Sequence, residues 1–387
     1  MPYTKSLGGV LRVYSFLRTL KKKHKVFLVV SKSFKNKSYG YLGLLKKDLK
    51  KLNINYIKNK NSRLALSIFN FRSFRNIFYL LGFDYSFNLR NQYYETCSKI
   101  IEKNNIDYII ISSPPFSLFY LVKRIKSRYK NLKVILDYRD GWSTRVNDFL
   151  TFPLKYLVQK FIEKKILNYA DYILSATSQI HAKIKNLSKN KNQKLLIRNG
   201  FLIKPTIKKK NNDKIKIGYF GLISEDIFSY RNIRVIYDVM SQNEFLQKKI
   251  IFEFYGNNDI RDLNIRNFSS FKFRKNLNYK KALSKMTEMN YLLILHTEKS
   301  TAKEMVTSKF YDYLASRTQI INICSGKNEV GEIIKRFELG YNINYEKTNL
   351  EEFFVELMHN AKKIKWKKNL DIFSRDYQNK QLLKIIN

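Results

Sequence analysis

The sequence has 387 residues, of which 44% are hydrophobic and 15% aromatic, and its formal net charge is +43. This length and apolar content allow two domains with their own cores, and they exclude the highly charged, apolar-poor composition of a disordered chain. The charge favours an acidic partner such as nucleic acid, anionic lipid or a phosphorylated substrate, although lysine beside abundant asparagine and isoleucine also fits general amino-acid usage.

Cysteine and histidine usage argues against a disulfide framework and a metal centre. Cys97 and Cys324 lie far apart, and the four histidines have no spacing typical of metal ligands. No apolar run approaches the length of a bilayer, and the N-terminus lacks the apolar core of a signal peptide. We therefore expect no metal or cofactor, and a protein that is cytoplasmic or held at the inner face of a membrane.

The chain opens with a glycine pair, Gly8 and Gly9, ahead of a predicted helix. Glycines at such a place let the backbone approach a ligand, although an ordinary turn before a helix is the simpler interpretation. Further on, residues 62–83 mix arginines with many aromatic and aliphatic groups. That mixture is typical either of a helix lying in a lipid interface or of a core helix whose arginines reach solvent.

Strand and helix patterns alternate along the whole chain. Strands are predicted at residues 26–30, 108–111, 134–136, 172–176, 195–197, 215–220, 250–255, 291–295 and 341–343. A helix is predicted at residues 153–169 and another from residue 373 onward. Residues 202–213, with Pro205 and a lysine- and asparagine-rich run, have the composition of a solvated linker. The alternation predicts doubly wound α/β domains.

Two polar turns follow strands in the first half. One reads SSPP at residues 112–115, and the other reads DYRDGW at residues 137–142. Residues just past the carboxyl ends of parallel strands line the ligand crevice of such sheets, so both turns are candidate site elements. The alternative is that Asp137 and Arg139 pair with each other and only brace the turn.

The stretch EMVTSKFYDYLASRTQIINI at residues 304–323 has the pattern of a loop, a helix and a strand. Thr307 or Ser308 can cap the helix by accepting from a backbone N–H, so that the N–H groups of the first turn face an anion. Lys309 adds a full positive charge there, and Asp312 can accept hydrogen bonds from hydroxyls. The combination suits a sugar nucleotide, whereas solvated surface charge is the simpler interpretation of these side chains taken alone.

This stretch resembles the donor-binding segment of glycosyltransferase family 4, a group of retaining transferases with the two-domain GT-B fold. Those enzymes carry two glutamates separated by seven residues, often with a lysine three residues before the second. Here Glu304 and Asp312 are separated by seven residues, and Lys309 stands three before Asp312. The SSPP and DYRDGW turns are similar to those of one subgroup, in which the second turn reads Asp-Phe-Arg-Asp-Pro-Trp. The departures are Asp312 for glutamate, Tyr138 for phenylalanine, Gly141 for proline, and Arg317 within the usual Ala-Ser-Gly-Lys-Pro.

The resemblance implies an α/β GT-B fold, with two Rossmann-like doubly wound domains facing a cleft. The expected parts are an acceptor-side domain at residues 1–200, a linker at 201–213, a nucleotide-sugar domain at 214–365 and a returning helix at 366–387. In that family a first strand precedes the glycine loop. Only seven residues precede Gly8, so we expect this strand to be missing, either because the sequence begins inside a longer chain or because the strand was lost.

The resemblance also implies roles for particular residues. It assigns catalysis to Glu304 and Asp140, with Glu304 orienting donor hydroxyls and no residue acting as nucleophile. The implied donor-binding residues are Lys309, Asp312, Ser308, Arg231, Gly221 and His296. The implied acceptor-side residues are Gly8, Gly9, Asp137, Arg139 and Ser113. For His296, a hydrogen-bonded place at the edge of the core is the simpler interpretation.

The expected reaction is transfer of a sugar from a nucleotide diphosphate sugar to a surface-glycan or lipid-linked acceptor, with retention and without a metal. The lack of any Asp-x-Asp sequence agrees with the last point. An anionic membrane surface is a further expected partner, and nucleic acid is not. Three alternatives stay open: a catalytically silent scaffold in polysaccharide assembly, a nucleotide-sugar epimerase of similar fold, and a basic nucleic-acid-binding protein.

Overall fold

The computed structural model describes residues 7–31, 52–57, 80–84, 86–143, 153–188, 192–208, 214–297, 304–359 and 369–386. The chain divides into two compact units. Unit 1 comprises Met1–Asn199 with Arg375–Asn387, and unit 2 comprises Gly200–Ser374.

Unit 1 is an α/β unit built on parallel strands. Its strands are β1 (Phe27–Ser31), β2 (Asn53–Ile57), β3 (Tyr108–Ser113), β4 (Lys133–Tyr138), β5 (Tyr172–Ser175) and β6 (Gln193–Leu196). Its helices are α1 (Leu7–Leu20), α2 (Arg90–Asn104), α3 (Leu121–Arg128), α4 (Pro153–Leu167), α5 (Ser178–Leu187) and α13 (Arg375–Ile386). The strands form a parallel sheet in the order β3-β4-β5-β6 and a separate parallel pair, β1-β2.

The C-terminal helix α13 packs on α1 within unit 1. The Asn379 side-chain amide donates to the Ser15 carbonyl oxygen and to Thr19 Oγ1, both at 2.9 Å. Beneath this contact, Leu382 and Phe16 belong to an apolar cluster that also holds residues of β4 and β5. The helix therefore completes the core of unit 1.

Unit 2 carries the larger sheet. Its main strands are β7 (Ile215–Phe220), β9 (Ile250–Tyr255), β11 (Phe271–Arg274), β12 (Tyr291–His296), β13 (Gln319–Cys324) and β14 (Gly340–Asn344). The short strands β8 (Ile223–Ser224) and β10 (Asn258–Asp259) pair with each other. The helices are α6 (Arg234–Ser241), α7 (Glu244–Lys249), α8 (Leu263–Asn267), α9 (Tyr279–Met286), α10 (Ser308–Ser316), α11 (Glu329–Phe337) and α12 (Lys347–His359).

The sheet of unit 2 is parallel throughout, in the order β11-β9-β7-β12-β13-β14. Counted as they occur along the chain, the strands stand in the order 3-2-1-4-5-6 of a doubly wound nucleotide-binding sheet. The strand order reverses between β7 and β12. Ligands of such sheets bind outside the carboxyl ends of the strands at this switch point, which makes the ends of β7 and β12 the place to look for a site.

The described strands of unit 1 include none at the place that the central strand β7 occupies in unit 2. Among the described residues, no strand pairs with the second edge of β1 or of β3. A cavity of about 510 Å³ lies between these two strands and is also lined by residues of α1 and α2, most of them apolar. One parallel strand placed here would give unit 1 the strand order of unit 2 with one strand more. Residues 1–6 lie outside the described part of the chain, so the expectation that the first strand is missing stays a prediction.

All nine strands predicted above are confirmed to within two residues, and β3 and β4 each run two residues past their predicted ends. β3 extends to Ser113 and β4 to Tyr138, so Ser112, Ser113 and Asp137 lie in strands and not in turns. Of the predicted segment 62–83, only residues 80–83 fall in the described part of the chain. Within that part, no helix combines the length and apolar character that a bilayer crossing requires.

Candidate anion site at the switch point of unit 2

Two glycines open the carboxyl ends of β7 and β9 for close backbone approach. Gly221 has φ +143° and Gly256 has φ +144°, values that L side chains rarely adopt. The Gly221 N–H donates to the Tyr255 carbonyl oxygen at 2.8 Å. A Cβ on Gly256 would lie 2.5 Å from the Gly221 oxygen. Both positions therefore require glycine, and the backbone at the end of β7 stays uncovered by side chains of its own.

Lys309, in the first turn of α10, reaches this glycine. Its Nζ lies 3.7 Å from the centre of the Tyr219 ring, and a Cβ on Gly221 would stand 2.9 Å from that Nζ. Part of the surface of Lys309 is exposed, but its ammonium group is buried. This burial, and to a lesser extent the charge of Arg231, holds the pKa of Lys309 well below its usual range. The cation thus sits at the end of β7 in an environment that disfavours its charge.

Arg231 is the second cation of the site. Its guanidinium carbon lies 4.6 Å from the centre of the Tyr230 ring, and its charge lowers the pKa of both Lys309 and His296. Its buried Nε has no hydrogen-bond partner among the described residues. Within the same ranges, no carboxylate lies at ion-pair distance from Lys309 or Arg231. Two basic side chains therefore meet here, and the described residues place no carboxylate at ion-pair distance from either.

His296 ends β12, next to β7, and is only 1% exposed. Its Nδ1 lies 3.4 Å from Asn328 Nδ2, while its buried Nε2 has no hydrogen-bond partner in the described part of the chain. Burial lowers the pKa of His296 to about 3, with smaller contributions from the charges of Lys309 and Arg231. The imidazole is therefore neutral near pH 7, and its free nitrogen is a third polar group without a partner in this region.

The start of α10 differs from the predicted capping. Thr307 is the N-cap residue, but its side chain makes no capping hydrogen bond, and Ser308 is already the first helical residue. Thr307 Oγ1 is buried without a partner among the described residues. The prediction was therefore right about the position of Thr307 and wrong about its side-chain hydrogen bond. An uncapped helix start keeps its free N–H groups for another acceptor.

Glu304 and Asp312 occupy different environments. Glu304 lies half-buried in the loop before α10, as predicted for a loop residue. Asp312 is only 6% exposed, and its Oδ1 accepts from the Tyr279 hydroxyl at 2.7 Å. Asp312 was predicted to bind donor hydroxyls directly. Its Oδ1 links α10 to α9 through the Tyr279 hydroxyl, and a direct role of Asp312 in binding the donor stays a prediction.

The acceptor-side residues of unit 1 form a buried network around Arg12, which the sequence analysis missed. Arg12 Nη2 donates to Asp137 Oδ1 at 2.7 Å, with side-chain exposures of 1% and 0%. Arg12 Nη1 donates to the Ile197 carbonyl oxygen at 2.7 Å, and Ser112 Oγ donates to Asp137 Oδ2 at 2.7 Å. Asp137 therefore joins α1 to the sheet and does not reach solvent.

Arg139 does not pair with Asp137, so the suggested bracing pair was wrong. Its guanidinium instead donates to the carbonyl oxygens of Ser113, at 3.3 Å, and of Pro114. Ser113 is fully buried and donates to the Pro115 carbonyl oxygen at 2.9 Å. Asp140, to which the resemblance assigns a catalytic role, lies exposed in the same turn.

The predicted glycine loop is also placed differently. Helix α1 begins at Leu7, so Gly8 and Gly9 lie in its first turn and not in a loop ahead of it. Among the described residues, no group of three or more histidine, cysteine or acidic side chains could hold a metal ion. Cys97 and Cys324 are both free thiols.

Comparison with known proteins gives the fold. No protein-family model and no curated protein matches the sequence. Among solved structures, HepE of Anabaena in complex with UDP and glucose matches with a TM-score of 0.64 and 10% identity, over 99% of this chain and 96% of that one. Sucrose-phosphate synthase of Thermosynechococcus elongatus matches at 0.59 and 12%, over 93% and 98%. The UDP-forming α,α-trehalose-phosphate synthase of Burkholderia vietnamiensis matches at 0.52 and 10%, over 93% and 96%.

These similarities extend over nearly the whole of both chains, at identities too low to carry more than architecture. The chain has the GT-B fold, with parallel α/β sheets of the Rossmann type, as the sequence motifs implied.

Proposed function

We propose that this chain is a glycosyltransferase that uses a nucleoside diphosphate sugar as donor. The observation that carries the proposal is the pairing of Lys309 with Arg231 at the switch point of unit 2, with no carboxylate at ion-pair distance among the described residues. Buried polar groups in native proteins are nearly always hydrogen-bonded. The partnerless Arg231 Nε, His296 Nε2 and Thr307 Oγ1 therefore favour a bound anionic ligand with several oxygens.

A diphosphate satisfies these groups better than a single carboxylate does. Lys309 and Arg231 supply two positive charges, and the uncapped start of α10 supplies backbone N–H groups with the positive end of the helix dipole. Gly221 lets the phosphates approach the end of β7. The UDP bound to the similarly folded HepE of Anabaena is a ligand of this class.

The chemical step follows from the same charges. As the bond between the anomeric carbon and the diphosphate oxygen breaks, negative charge builds on the leaving diphosphate. Fixed cations beside that oxygen stabilise the transition state more than the ground state. We assign this role to Lys309 and Arg231, and on this assignment no metal is required.

The remaining roles complete the proposal. Glu304 orients donor hydroxyls from the loop before α10, and Asp140 acts from the acceptor side. His296 serves as a neutral hydrogen-bonding group, since its pKa of about 3 keeps it uncharged. Asp312 contributes to donor binding by positioning the Tyr279 hydroxyl, which donates to its Oδ1. The transferred group is a hexosyl group, the configuration is retained, and the acceptor is a surface glycan, such as capsule or lipopolysaccharide, or a lipid-linked precursor at the inner face of the membrane.

The test measures the melting temperature of the full chain with uridine, UMP, UDP, GDP and ADP, each with and without EDTA. Ligand binding raises the melting temperature by mass action. We expect one nucleoside diphosphate to stabilise the chain far more than its monophosphate, with EDTA making no difference. Conversion of the matching nucleotide sugar to free nucleoside diphosphate would then identify the donor. If no diphosphate stabilises the folded chain, the proposal fails.

A further inference from the structure

Helix α4 in unit 1 buries two polar side chains beside Ile166 and Leu167 and leaves three large apolar side chains exposed. Gln159 is 3% exposed and Glu163 is fully buried, whereas Leu154, Leu157 and Phe161 are 65%, 56% and 59% exposed. Helices of water-soluble domains normally turn large apolar side chains such as these three toward the core. The three apolar residues stand at positions i, i+3 and i+7, so they form one stripe along the helix.

The inward side of α4 is fixed by hydrogen bonds, so the helix cannot roll to bury this stripe. Glu163 Oε2 accepts from the Ser143 N–H at 3.1 Å and from the Ser143 hydroxyl. Burial raises the pKa of Glu163, and the Gln159 amide donates to the Leu80 carbonyl oxygen at 3.4 Å. Rolling the helix would break these bonds and leave the buried N–H and hydroxyl of Ser143 without their acceptor, which is costly.

Lysines accompany the stripe on the exposed side. Lys160, Lys164 and Lys165 are all exposed, and Lys165 Nζ lies 4.2 Å from the centre of the Phe161 ring. The single acidic residue of α4 is the buried Glu163. We name the outer face of α4 the surface formed by Leu154, Leu157, Phe161, Lys160, Lys164 and Lys165. It combines three large apolar groups with positive charge that no acidic residue of the helix offsets.

We propose that the outer face of α4 docks on an anionic membrane surface. A helix with apolar residues along one line and lysines beside them lies in the plane of the lipid interface, where acyl chains receive the apolar groups and anionic headgroups receive the lysines. Nucleic acid would engage the lysines but leave the three apolar side chains in water. A second copy of the chain would bring the same lysines against each other. Docking goes beyond the proposed transfer reaction and does not depend on it.

The experiment is flotation of the full chain with vesicles of phosphatidylcholine alone and of phosphatidylcholine with phosphatidylglycerol, at low and high salt. Two variants probe the face: Leu157→Ser with Phe161→Ser, and Lys160→Glu with Lys164→Glu. The matched controls are Leu263→Ser, at a leucine that is 66% exposed in unit 2, and Lys99→Glu with Lys103→Glu, which reverses the same number of charges on exposed lysines of α2.

We expect the wild type to bind the anionic vesicles and not the neutral ones. Each α4 variant should bind at least about tenfold more weakly, while the controls bind as the wild type does. Equal weakening by the α2 charge reversals, or no effect of the Leu157 and Phe161 changes, overturns the proposal. So does a concentration-dependent dimer that the α4 variants abolish, or binding to duplex DNA in place of vesicles. Nucleotide-induced stabilisation, measured on the same variants, should be unchanged, so a failure here is separable from a failure of the proposed transferase.

Discussion

Replacing Lys309 with methionine tests whether the charge of Lys309 binds the ligand or stabilises the fold. Methionine keeps an unbranched stem over the Tyr219 ring and removes only the charge. Because burial and Arg231 disfavour that charge, its loss should stabilise the ligand-free chain by about 1 kcal/mol. For a unit of this size, that corresponds to a rise of about 2–4 °C in melting temperature. A hydrogen bond from a charged group contributes about 1.5–3 kcal/mol, so affinity for the diphosphate should fall by about 10- to 150-fold.

The assay is a thermal melt with and without the stabilising nucleoside diphosphate, supported by calorimetric titration. Lys335→Met, on the exposed side of α11, is the control and should change neither quantity. The diagnostic result is the opposite sign of the two effects, with higher stability alone and weaker response to the nucleotide. If Lys309→Met lowers the melting temperature of the free chain and keeps the nucleotide shift, Lys309 is a structural brace and the reasoning is refuted.

Three further predictions concern a buried ion pair in unit 1 and a glycine and a histidine in unit 2. Arg12→Met should cost about 3–5 kcal/mol because it leaves the Asp137 carboxylate buried without its partner, and adding Asp137→Asn should recover part of this loss in urea unfolding. Gly256→Ala should lower the free energy of unfolding more than Gly326→Ala does. Both glycines have positive φ, but only at Gly256 would the added Cβ clash with backbone atoms of Gly221. Equal losses of stability in the two variants would contradict this steric argument. The pKa of folded His296 is about 3, whereas its ordinary value is 6.5. Between these pH values the unfolded state binds a proton that the folded state does not, so the free energy of unfolding should fall as the pH drops, by up to about 1.4 kcal/mol per pH unit relative to His296→Gln. Parallel pH profiles of the two proteins would refute this.

The alternation of strands and helices was predictable because it depends on local apolar periodicity. Most strands of the unit 2 sheet were predicted correctly from runs such as residues 250–255, whereas β11 was not predicted. Their glycine-ended turns could be placed at the carboxyl edge without coordinates, because parallel strands all end at the same edge of a sheet. The meeting of Gly221, Lys309, Arg231 and His296 follows from this one topological rule.

The errors lie where a long-range contact decides the role of a side chain. Asp137 was predicted to lie in a turn. Nothing in the local sequence indicates that its partner is Arg12, which lies 125 positions earlier. One signal was present. Apolar residues occur all round α1, including Leu11 and Phe16, which is typical of a buried helix. An arginine inside such a helix needs a buried carboxylate, and Asp137 at the end of a strand was a candidate.

The two units treat buried positive charge in opposite ways, and this contrast is the strongest argument for a ligand. Arg12 is enclosed in unit 1, and its guanidinium is satisfied by the Asp137 carboxylate and by the Ile197 carbonyl oxygen. The same chain leaves Lys309 and Arg231 together in unit 2 without a carboxylate at ion-pair distance in the ranges described. Uncompensated charge of this kind destabilises a fold, so its persistence at the switch point is best explained by an anion that binds there. A diphosphate between the two cations would remove their repulsion and restore the charge of Lys309, so its binding should be accompanied by proton uptake at alkaline pH.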